Sequence, residues 1–397
     1  MQIYGCIKND ENNFDFYCNT NNEQTRKIEE FYTFSDKKIF IYIDGTISKI
    51  SETILQSSQN FESIEKKIAY IHSTGFKLEG HVCGSFNIFL YDYNSKNLKI
   101  IRDTRATRLI YYAKDEKSFM FSSEQSNLIE KIQNVTLNKD KLIEFLNWDY
   151  ISDDKTYFNE IHKVKPSHTL SYIDSNIIVE KYQLHNNLFA EPCNTNFKAN
   201  FKNFFYQSVS VLANKDKKIG VMMSGGLDSS AIAIALKENH YENVHTYSAN
   251  FSHVSDNKNL DEAVFQKNIT DLTSYNHSYI EMEGKSPIIP IQKFTKEFCQ
   301  PLCFPNIYIY EEIINKLNAD GIEILLDGSD GDNTISHGFE ALYTYFISLR
   351  LFKFIKEIFL YSKFKKAGFL RLLYVFTKEA LRKLFKIQIT DNKHSLL

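Results

Sequence analysis

The stretch Ile219-Gly-Val-Met-Met-Ser-Gly-Gly-Leu-Asp-Ser-Ser-Ala-Ile-Ala-Ile-Ala-Leu236 decides how the second half of the chain is read. Ile219 to Met223 is an apolar run of strand length. Ser224 to Ser230 is a small, glycine-rich turn, and Ala231 to Leu236 is a run of good helix formers that continues through Lys237 and Glu238. Strand, glycine turn and helix, in that order, bring backbone N–H groups together on an anion at a helix N-terminus. Gly225 and Gly226 remove the side chains that would hold a phosphate away, and Ser224, Ser229 and Ser230 can add hydroxyl donors. Asp228 is the odd member, because a carboxylate repels phosphate. It makes sense as the holder of a magnesium ion that bridges to the phosphates, since Mg²⁺ takes one or two carboxylates plus substrate oxygens. The turn lacks the Gly-Lys-Ser/Thr ending of a Walker A loop.

Around this stretch, strands and helices alternate. Val244 to Phe251, Tyr275 to Ile280 and Ile322 to Leu326 read as strands. Helices are expected to open at Asp261, whose acids suit an N-terminal turn, and to run over Ile307 to Leu317. Alternation of this kind implies a parallel sheet covered by helices. Ligands of such sheets sit beyond the carboxyl ends of the strands. The turns at 224–230 and 327–332 (Asp327-Gly-Ser-Asp-Gly-Asp332) both hold that position, as does Ser248-Ala-Asn-Phe251.

Residues 1 to about 185 have a different texture. Short aromatic and β-branched runs at Ile39–Ile43, Gly84–Tyr91, Leu98–Ile101, Leu109–Tyr112, Ser118–Ser122 and Thr169–Ile173 favour a β-sandwich. Helices interrupt them near Ile64–Thr74 and Lys139–Trp148. His185 to Ala199 is polar, contains Pro192 and reads as a linker. The expected organisation is a first domain over residues 1–185, a linker over 186–199 and a second domain over 200–397.

Several of these strings carry a family resemblance. Ser224-Gly-Gly-Leu-Asp-Ser229 resembles the pyrophosphate-binding loop of enzymes that cleave ATP to AMP and pyrophosphate. Gly84-Ser-Phe-Asn-Ile-Phe-Leu-Tyr-Asp92, Arg102-Asp-Thr-Arg105 with Leu109-Ile-Tyr-Tyr112, and Phe121-Ser-Ser-Glu124 resemble strings of the class II glutamine amidotransferase domain of asparagine synthetase-like proteins. Asp44-Gly-Thr-Ile47 looks like a weakened Asn-Gly-Glu-Ile, and the order continues through Ile161-His-Lys-Val-Lys-Pro166. The resemblance covers most of residues 1–340. It implies an α/β protein: an Ntn-type β-sandwich with flanking helices, then a parallel-sheet ATP-pyrophosphatase domain of the adenine nucleotide alpha hydrolase type. Asp327-Gly-Ser-Asp-Gly-Asp332 is similar to the family's Ser-Gly-Glu-Gly-x-Asp, with Ser329 at the place of a glutamate that takes part in acyl transfer.

By the same resemblance, Asp228 and Asp332 hold magnesium. Met222, Ala249, Asp327 and Gly328 line an ATP pocket with the loop residues Ser224, Gly225, Gly226, Leu227, Asp228, Ser229 and Ser230. His337, in Ser336-His-Gly338, is a candidate for proton transfer beside Asp228 and Asp332. The implied reaction is ATP-dependent amide formation: a carboxylate is adenylated, pyrophosphate leaves, and an amine or ammonia displaces AMP. The implied partner is a small-molecule or peptide carboxylate.

The glutaminase half is expected to be inactive. Family members use a cysteine directly after the initiator Met, whose freed α-amine acts as base. Gln2 holds that place here. Cys6, the nearest thiol, falls inside the first expected strand. The first forty residues lack the family's arginine-containing glutamine clamp, and Asp44 and Thr46 replace its amide and carboxylate. Relatives without the cysteine include beta-lactam synthetases and lasso-peptide cyclases, so a peptide or metabolite macrocyclase is the second reading. A shortened, non-catalytic subunit is the third.

Composition sets bounds on all three. The chain has 397 residues, 43% of them hydrophobic, enough for two domains with cores of their own. A formal net charge of −2 argues against nucleic-acid binding. Six cysteines without paired spacing read as reduced thiols in a cytoplasmic protein, and Cys299 and Cys303, with Pro301 between and no second pair, do not make a zinc site. No signal peptide or membrane-spanning run is seen, so no stable membrane insertion is expected. From Tyr345 onward the chain is aromatic, apolar and basic at a spacing that suits amphipathic helices. These are expected to pack on a sheet or on missing sequence, with a peripheral membrane helix as the alternative. No equivalent of the family's catalytic lysine precedes Leu397 beyond Lys378 and Lys383, which qualify by charge alone. A homodimer, or a partner protein that supplies a missing C-terminal part, is the corresponding expectation.

Overall fold

The computed structural model describes residues 2–8, 13–19, 25–57, 61–147, 154–184, 196–251, 263–302, 304, 306–331 and 339–385. Contacts divide the chain into two compact units, one of residues 1–207 and 284–314, the other of residues 208–283 and 315–397.

The first unit is built on two six-stranded sheets. One contains β1 (Gln2–Lys8), β2 (Phe14–Asn19), β3 (Arg26–Lys27), β8 (Tyr111–Lys114), β9 (Ser118–Ser122) and β10 (His162–Lys163), in the order β10-β8-β9-β1-β2-β3. The other contains β4 (Phe31–Phe34), β5 (Lys37–Ile50), β6 (Val82–Asp92), β7 (Asn97–Arg102), β11 (His168–Ile173) and β12 (Asn176–Lys181), in the order β12-β11-β7-β6-β5-β4. Every pairing is antiparallel. Strand period places alternate residues on opposite faces, and both faces of each sheet are apolar. Phe16, Phe119 and Phe121 of the first sheet meet Phe40, Phe89 and Tyr172 of the second in one buried cluster. This is the sandwich core.

Helices cover the outer faces. Ile39, Ile41, Ile88 and Leu90 bury against Ile54 of α1 (Glu52–Ser57) and Ile68 and Ile71 of α2 (Ile64–Ser73). Ser63 caps α2 by accepting from Lys66 N at 3.1 Å. On the other side, Cys6, Tyr111 and Met120 pack on Leu128 of α3 (Gln125–Ile129). The unit therefore has the four layers helix, sheet, sheet, helix, in keeping with the expected sandwich with flanking helices. Gly5 is required here for space: a Cβ would fall within the ring of Phe121.

The expected runs at Gly84–Tyr91, Leu98–Ile101, Ser118–Ser122 and Thr169–Ile173 are strands. The run at Leu109–Tyr112 is displaced: β8 opens only at Tyr111. The local reason is Arg102, whose guanidinium is tied to the carbonyls of Arg108 and Ala106, both at 3.0 Å, and to that of Val164. Asp103 accepts from Arg105 N at 2.7 Å and Thr107 Oγ1 at 2.9 Å. Residues 103–108 are thus committed to a side-chain-braced loop, and pairing starts after it. The helix expected over Lys139–Trp148 is α4 (Lys139–Leu146); Trp148 lies outside the described residues.

The first unit also includes α8 (Ile289–Glu297), and Gln125 Nε2 donates to the carbonyl of Phe298 at 3.2 Å.

The second unit holds a four-stranded sheet of β13 (Ile219–Met222), β14 (Val244–Asn250), β15 (Asn276–Glu281) and β16 (Ile324–Leu326), in the order β15-β14-β13-β16. All three pairings are parallel. The helices are α6 (Leu227–Glu238), α7 (Ala263–Thr273), α10 (Phe339–Ile347), α11 (Leu351–Lys365) and α12 (Phe369–Phe385), with the ends of α5 (Phe197–Leu212) and α9 (Ile307–Ala319). Gly220 of β13 leaves room for Leu317 and Ile322, each 2.9 Å from where its Cβ would stand. The central strand β13 is buried on both faces, which is why it reads as a continuous apolar run.

Burial of His72 in α2 holds its pKa down to about 4, far below the usual 6.5. A histidine kept neutral in the fold is protonated first in the unfolded chain. The stability it secures is therefore present above pH 6.5 and is lost as pH falls from 6.5 toward 4. Urea midpoints measured across that window are expected to drop with acid, and His72→Gln should flatten the drop.

Candidate functional site

The strand order places β13 at a reversal. From β13 the chain moves outward through β14 to β15, then returns to lay β16 on the opposite side of β13. Connections on either side of such a point lead away from each other and leave a crevice at the carboxyl ends of the strands. Val221 pairs with Leu326, so the two strands end side by side. The loops that follow them, 223–226 and 327–331, enter the same crevice.

The first loop is shorter than expected. The turn was read over Ser224 to Ser230, but α6 begins at Leu227. Gly226 is its N-cap, with extended backbone (φ −70°, ψ 170°), and Ser230 N already closes the first helical bond on the Gly226 carbonyl at 3.1 Å. Asp228, Ser229 and Ser230 are good first-turn residues, so the helix starts as soon as the glycines end. The N–H groups of Leu227, Asp228 and Ser229 precede that first bond and carry the positive end of the helix dipole. Gly225 takes φ +84°, a left-handed conformation in which a side chain is strained, and a Cβ there would stand 2.9 Å from Phe265 Cβ.

Hydroxyls knit the loop. Ser224 Oγ accepts from Gly226 N at 3.2 Å and lies 3.2 Å from Ser229 Oγ. Gln266 Nε2 of α7 donates to the Ser224 carbonyl at 3.4 Å. Ser248 of β14 donates its hydroxyl to the Met223 carbonyl and fixes the strand exit. Ser230 Oγ is buried and has no hydrogen-bond partner among the described residues. Leu227 is 88% exposed, an apolar side chain left open at the mouth of the helix.

The second loop approaches the first through glycine. A Cβ on Gly328 would stand 2.7 Å from Ser229 N and 3.0 Å from Asp228 Cβ. A Cβ on Gly331 would fall within the carboxylate of Asp228, 2.7 Å from Oδ1. Asp330 takes φ +63° to turn the chain inward, and Asp327 Oδ1 accepts from Ser329 N at 2.7 Å.

Of the residues expected at the site, Met222, Ser224, Gly225, Gly226, Leu227, Asp228, Ser229, Ser230, Asp327 and Gly328 lie on these two loops or the residues adjoining them. Ala249 stands near the end of β14, next to β13. Asp332 and His337 lie outside the described residues, as do Asp261, Cys303 and the linker residues 186–195. Residues missed from sequence are Gln266, which braces Ser224, and Gly331. A glycine placed five residues after a strand, next to acids, was the available signal for Gly331.

Magnesium is the ion that the sequence reading implies here. Among the described residues no group of three or more His, Cys, Asp or Glu gathers as a ligand set. Asp228 alone, on a helix N-terminus lined with donors and an orphan hydroxyl, still suits an ion that keeps most of its shell from phosphate and water.

At the corresponding place in the first unit, Asp44 is buried. Its Oδ1 accepts from Arg108 Nη1 at 2.8 Å, and its Oδ2 from Asn87 Nδ2 at 3.4 Å. Burial pushes its pKa up, and Arg108 opposes that. Cys6 is buried in β1, and desolvation raises its thiol pKa, which disfavours the thiolate.

These features define a mixed α/β protein with a sandwich unit and a parallel sheet whose two central loops meet at its switch point. Comparison with known proteins supplies the family. The asparagine synthase model matches residues 200–386, and the glutamine amidotransferase domain model matches residues 36–183. The two models, with the relatives below, support a member of the asparagine synthetase family. It is 24% identical over 268 residues to asparagine synthetase [glutamine-hydrolyzing] 1 of Bacillus subtilis, a match covering 62% of this chain and 39% of that one. It is 22% identical over 331 residues to putative asparagine synthetase [glutamine-hydrolyzing] 2 of Methanocaldococcus jannaschii, covering 76% and 61%. The matched region is thus less than two thirds of each relative. Among solved structures, glutamine phosphoribosylpyrophosphate amidotransferase from B. subtilis is 12% identical, covers 76% of this chain and 54% of that one, and superposes with a TM-score of 0.26, too slight a likeness to argue from.

Gly331→Ala is expected to push the second loop off Asp228 and weaken nucleotide binding by about tenfold or more. Titration with ATP, followed by protection against thermal unfolding, measures it. Gly368→Ala, outside the left-handed region and with only Arg371 Cβ, 4.0 Å away, near its new methyl, is the control for a glycine change in the same unit.

Proposed function

We propose that this chain is an ATP-dependent amide ligase that adenylates a carboxylate. The observation that carries the reading is the meeting of two glycine loops on one carboxylate, Asp228, at the switch point of a parallel sheet. Backbone packed this closely, with side chains removed at Gly225, Gly328 and Gly331, suits a ligand that must approach the main chain itself. A polyphosphate is such a ligand.

The chemistry assigned to these residues is charge management. A substrate carboxylate attacks the α-phosphorus of ATP, the bond to the bridging oxygen breaks, and pyrophosphate departs. The N–H groups at the head of α6 and the hydroxyls of Ser224 and Ser230 receive the charge that builds on the leaving oxygens. When bound, magnesium would neutralise part of that charge, and Asp228, with Asp332, is the pair assigned to hold it. Met222, Ala249, Asp327 and Gly328 are assigned to the nucleotide pocket, and His337 to proton transfer in the second step, when an amine displaces AMP.

Glutamine hydrolysis is not part of this reading. Cys6 is buried with its thiol pKa raised, and Asp44 is consumed by Arg108 and Asn87. The amine is then free ammonia or a group on the substrate itself. The first unit serves as a scaffold.

ATP–pyrophosphate exchange with aspartate and other carboxylates tests the reading. Asp228→Ala should lower exchange by about a hundredfold or more, with an unchanged circular dichroism spectrum. Exchange at the wild-type rate in that variant would overturn the assignment.

The glutaminase assignment has its own measurement. Purified protein supplied with glutamine is expected to release no glutamate above the rate of the Cys6→Ala variant.

A further inference from the structure

We propose that the corner between α11 and α12 is a docking surface for an anionic lipid bilayer. The three last helices share a small core of Leu342, Phe354, Ile358 and Phe376. The faces turned away from that core carry large apolar side chains among their charges. Phe364 and Leu370, on either side of the turn, are each 77% exposed, and Tyr374, one helical turn further on, is 66% exposed. Phe352 at the head of α11 is 94% exposed. Isolated exposed apolar residues need no explanation, but several large ones gathered about one turn mark an interaction site.

Charge selects the occupant. Between Arg350 and Phe385 the sequence carries ten Lys and Arg against Glu357 and Glu379 alone, in a chain whose net charge is −2. Lys363, Lys365, Lys366 and Arg371 cluster at the same turn as Phe364 and Leu370. Lys363 Nζ lies 4.5 Å from the centre of the Phe359 ring, Lys365 Nζ 5.6 Å from that of Phe364, and Lys378 Nζ 5.9 Å from that of Tyr374. A protein partner's apolar groove would be matched by an apolar face with a mixed rim. Aromatic rings interleaved with cations of one sign match a surface with acyl chains beneath anionic headgroups. The long lysine stems let the ammonium groups stay at headgroup level while the rings enter below. No helix among the described residues is long and apolar enough to cross a membrane, so the contact is peripheral.

The test is co-sedimentation of the full chain with phosphatidylcholine vesicles, with and without about a quarter phosphatidylglycerol. Binding is expected to the anionic vesicles, to be at least about tenfold weaker on neutral ones, and to fall as salt is raised. The double variant Phe364→Ser and Leu370→Ser should lose binding while keeping the wild-type unfolding midpoint, since both side chains are mostly in solvent. Lys365→Glu with Lys366→Glu gives a second, purely electrostatic loss. Equal binding to neutral and anionic vesicles, binding unchanged in the double variant, or no binding at low salt would each overturn the proposal. So would a concentration-dependent dimer that the double variant dissolves, because it would assign the face to a second copy. Pyrophosphate exchange in the same variants should stay at the wild-type rate, which separates this surface from the ligase reading.

Discussion

Two peptide backbones and one carboxylate set the geometry of the second unit. Gly328 and Gly331 can come against Asp228 and Ser229 only because β16 returns to the side of β13 opposite β14. Parallel pairing puts the end of every strand at the same edge, so the loop after β16 meets the loop after β13. The side chains of β13, buried on both faces, are then spoken for by packing. What remains free at the edge is main chain, and here it is main chain that the two loops offer. Serines support it from behind: Ser248 on the strand exit, Ser224 within the loop and Ser229 in the first turn of α6. The arrangement is rigid in its frame and open at its mouth, where Ser224, Gly226 and Leu227 face solvent.

The first unit solves a different problem. Its two sheets bury aromatic rings against each other, with Phe16 touching Phe40, Tyr42, Phe89 and Phe121. A core of this density tolerates little movement. The braces at Arg102 and Asp103 carry the same rigidity to residues 103–108. These are family strings, and in this chain their visible work is structural. Polar groups that could have faced a ligand, such as Asp44, face Arg108 instead. A domain can keep its packing while its chemistry drifts, because packing depends on many apolar positions and chemistry on a few polar ones.

The fold was legible where periodicity and punctuation agree. Ile219–Met222 is an apolar run before a glycine turn and Val244–Asn250 carries the strand formers Val244, Thr246 and Tyr247, and each lies within the strand the sequence suggests. Helix α2, at Ile64–Ser73, lies where the sequence suggests a helix near Ile64–Thr74. Two features were hidden. The start of β8 was obscured because Leu109 and Ile110 look like strand residues, while the loop before Tyr111 is held by a guanidinium on another strand. The grouping of residues 284–314 with the first unit was also hidden, since Gln125 and Phe298 meet across more than a hundred residues of sequence and leave no local pattern. At the candidate site, the first loop was read from composition. The part played by Gly331 depends on where β16 lies, which no spacing in the sequence reports.

Strand β1 lies inside its sheet, between β2 and β9. Its pairing with β2 is local, but Tyr4 meets Ser122 and Cys6 meets Met120. During synthesis β1 is therefore half-paired until more than a hundred further residues have been added and β9 exists. Contacts so distant in sequence are slow to form, and the unpaired edge stays open to the wrong neighbour meanwhile. A chaperone that shields residues 2–8 would protect that edge during the interval.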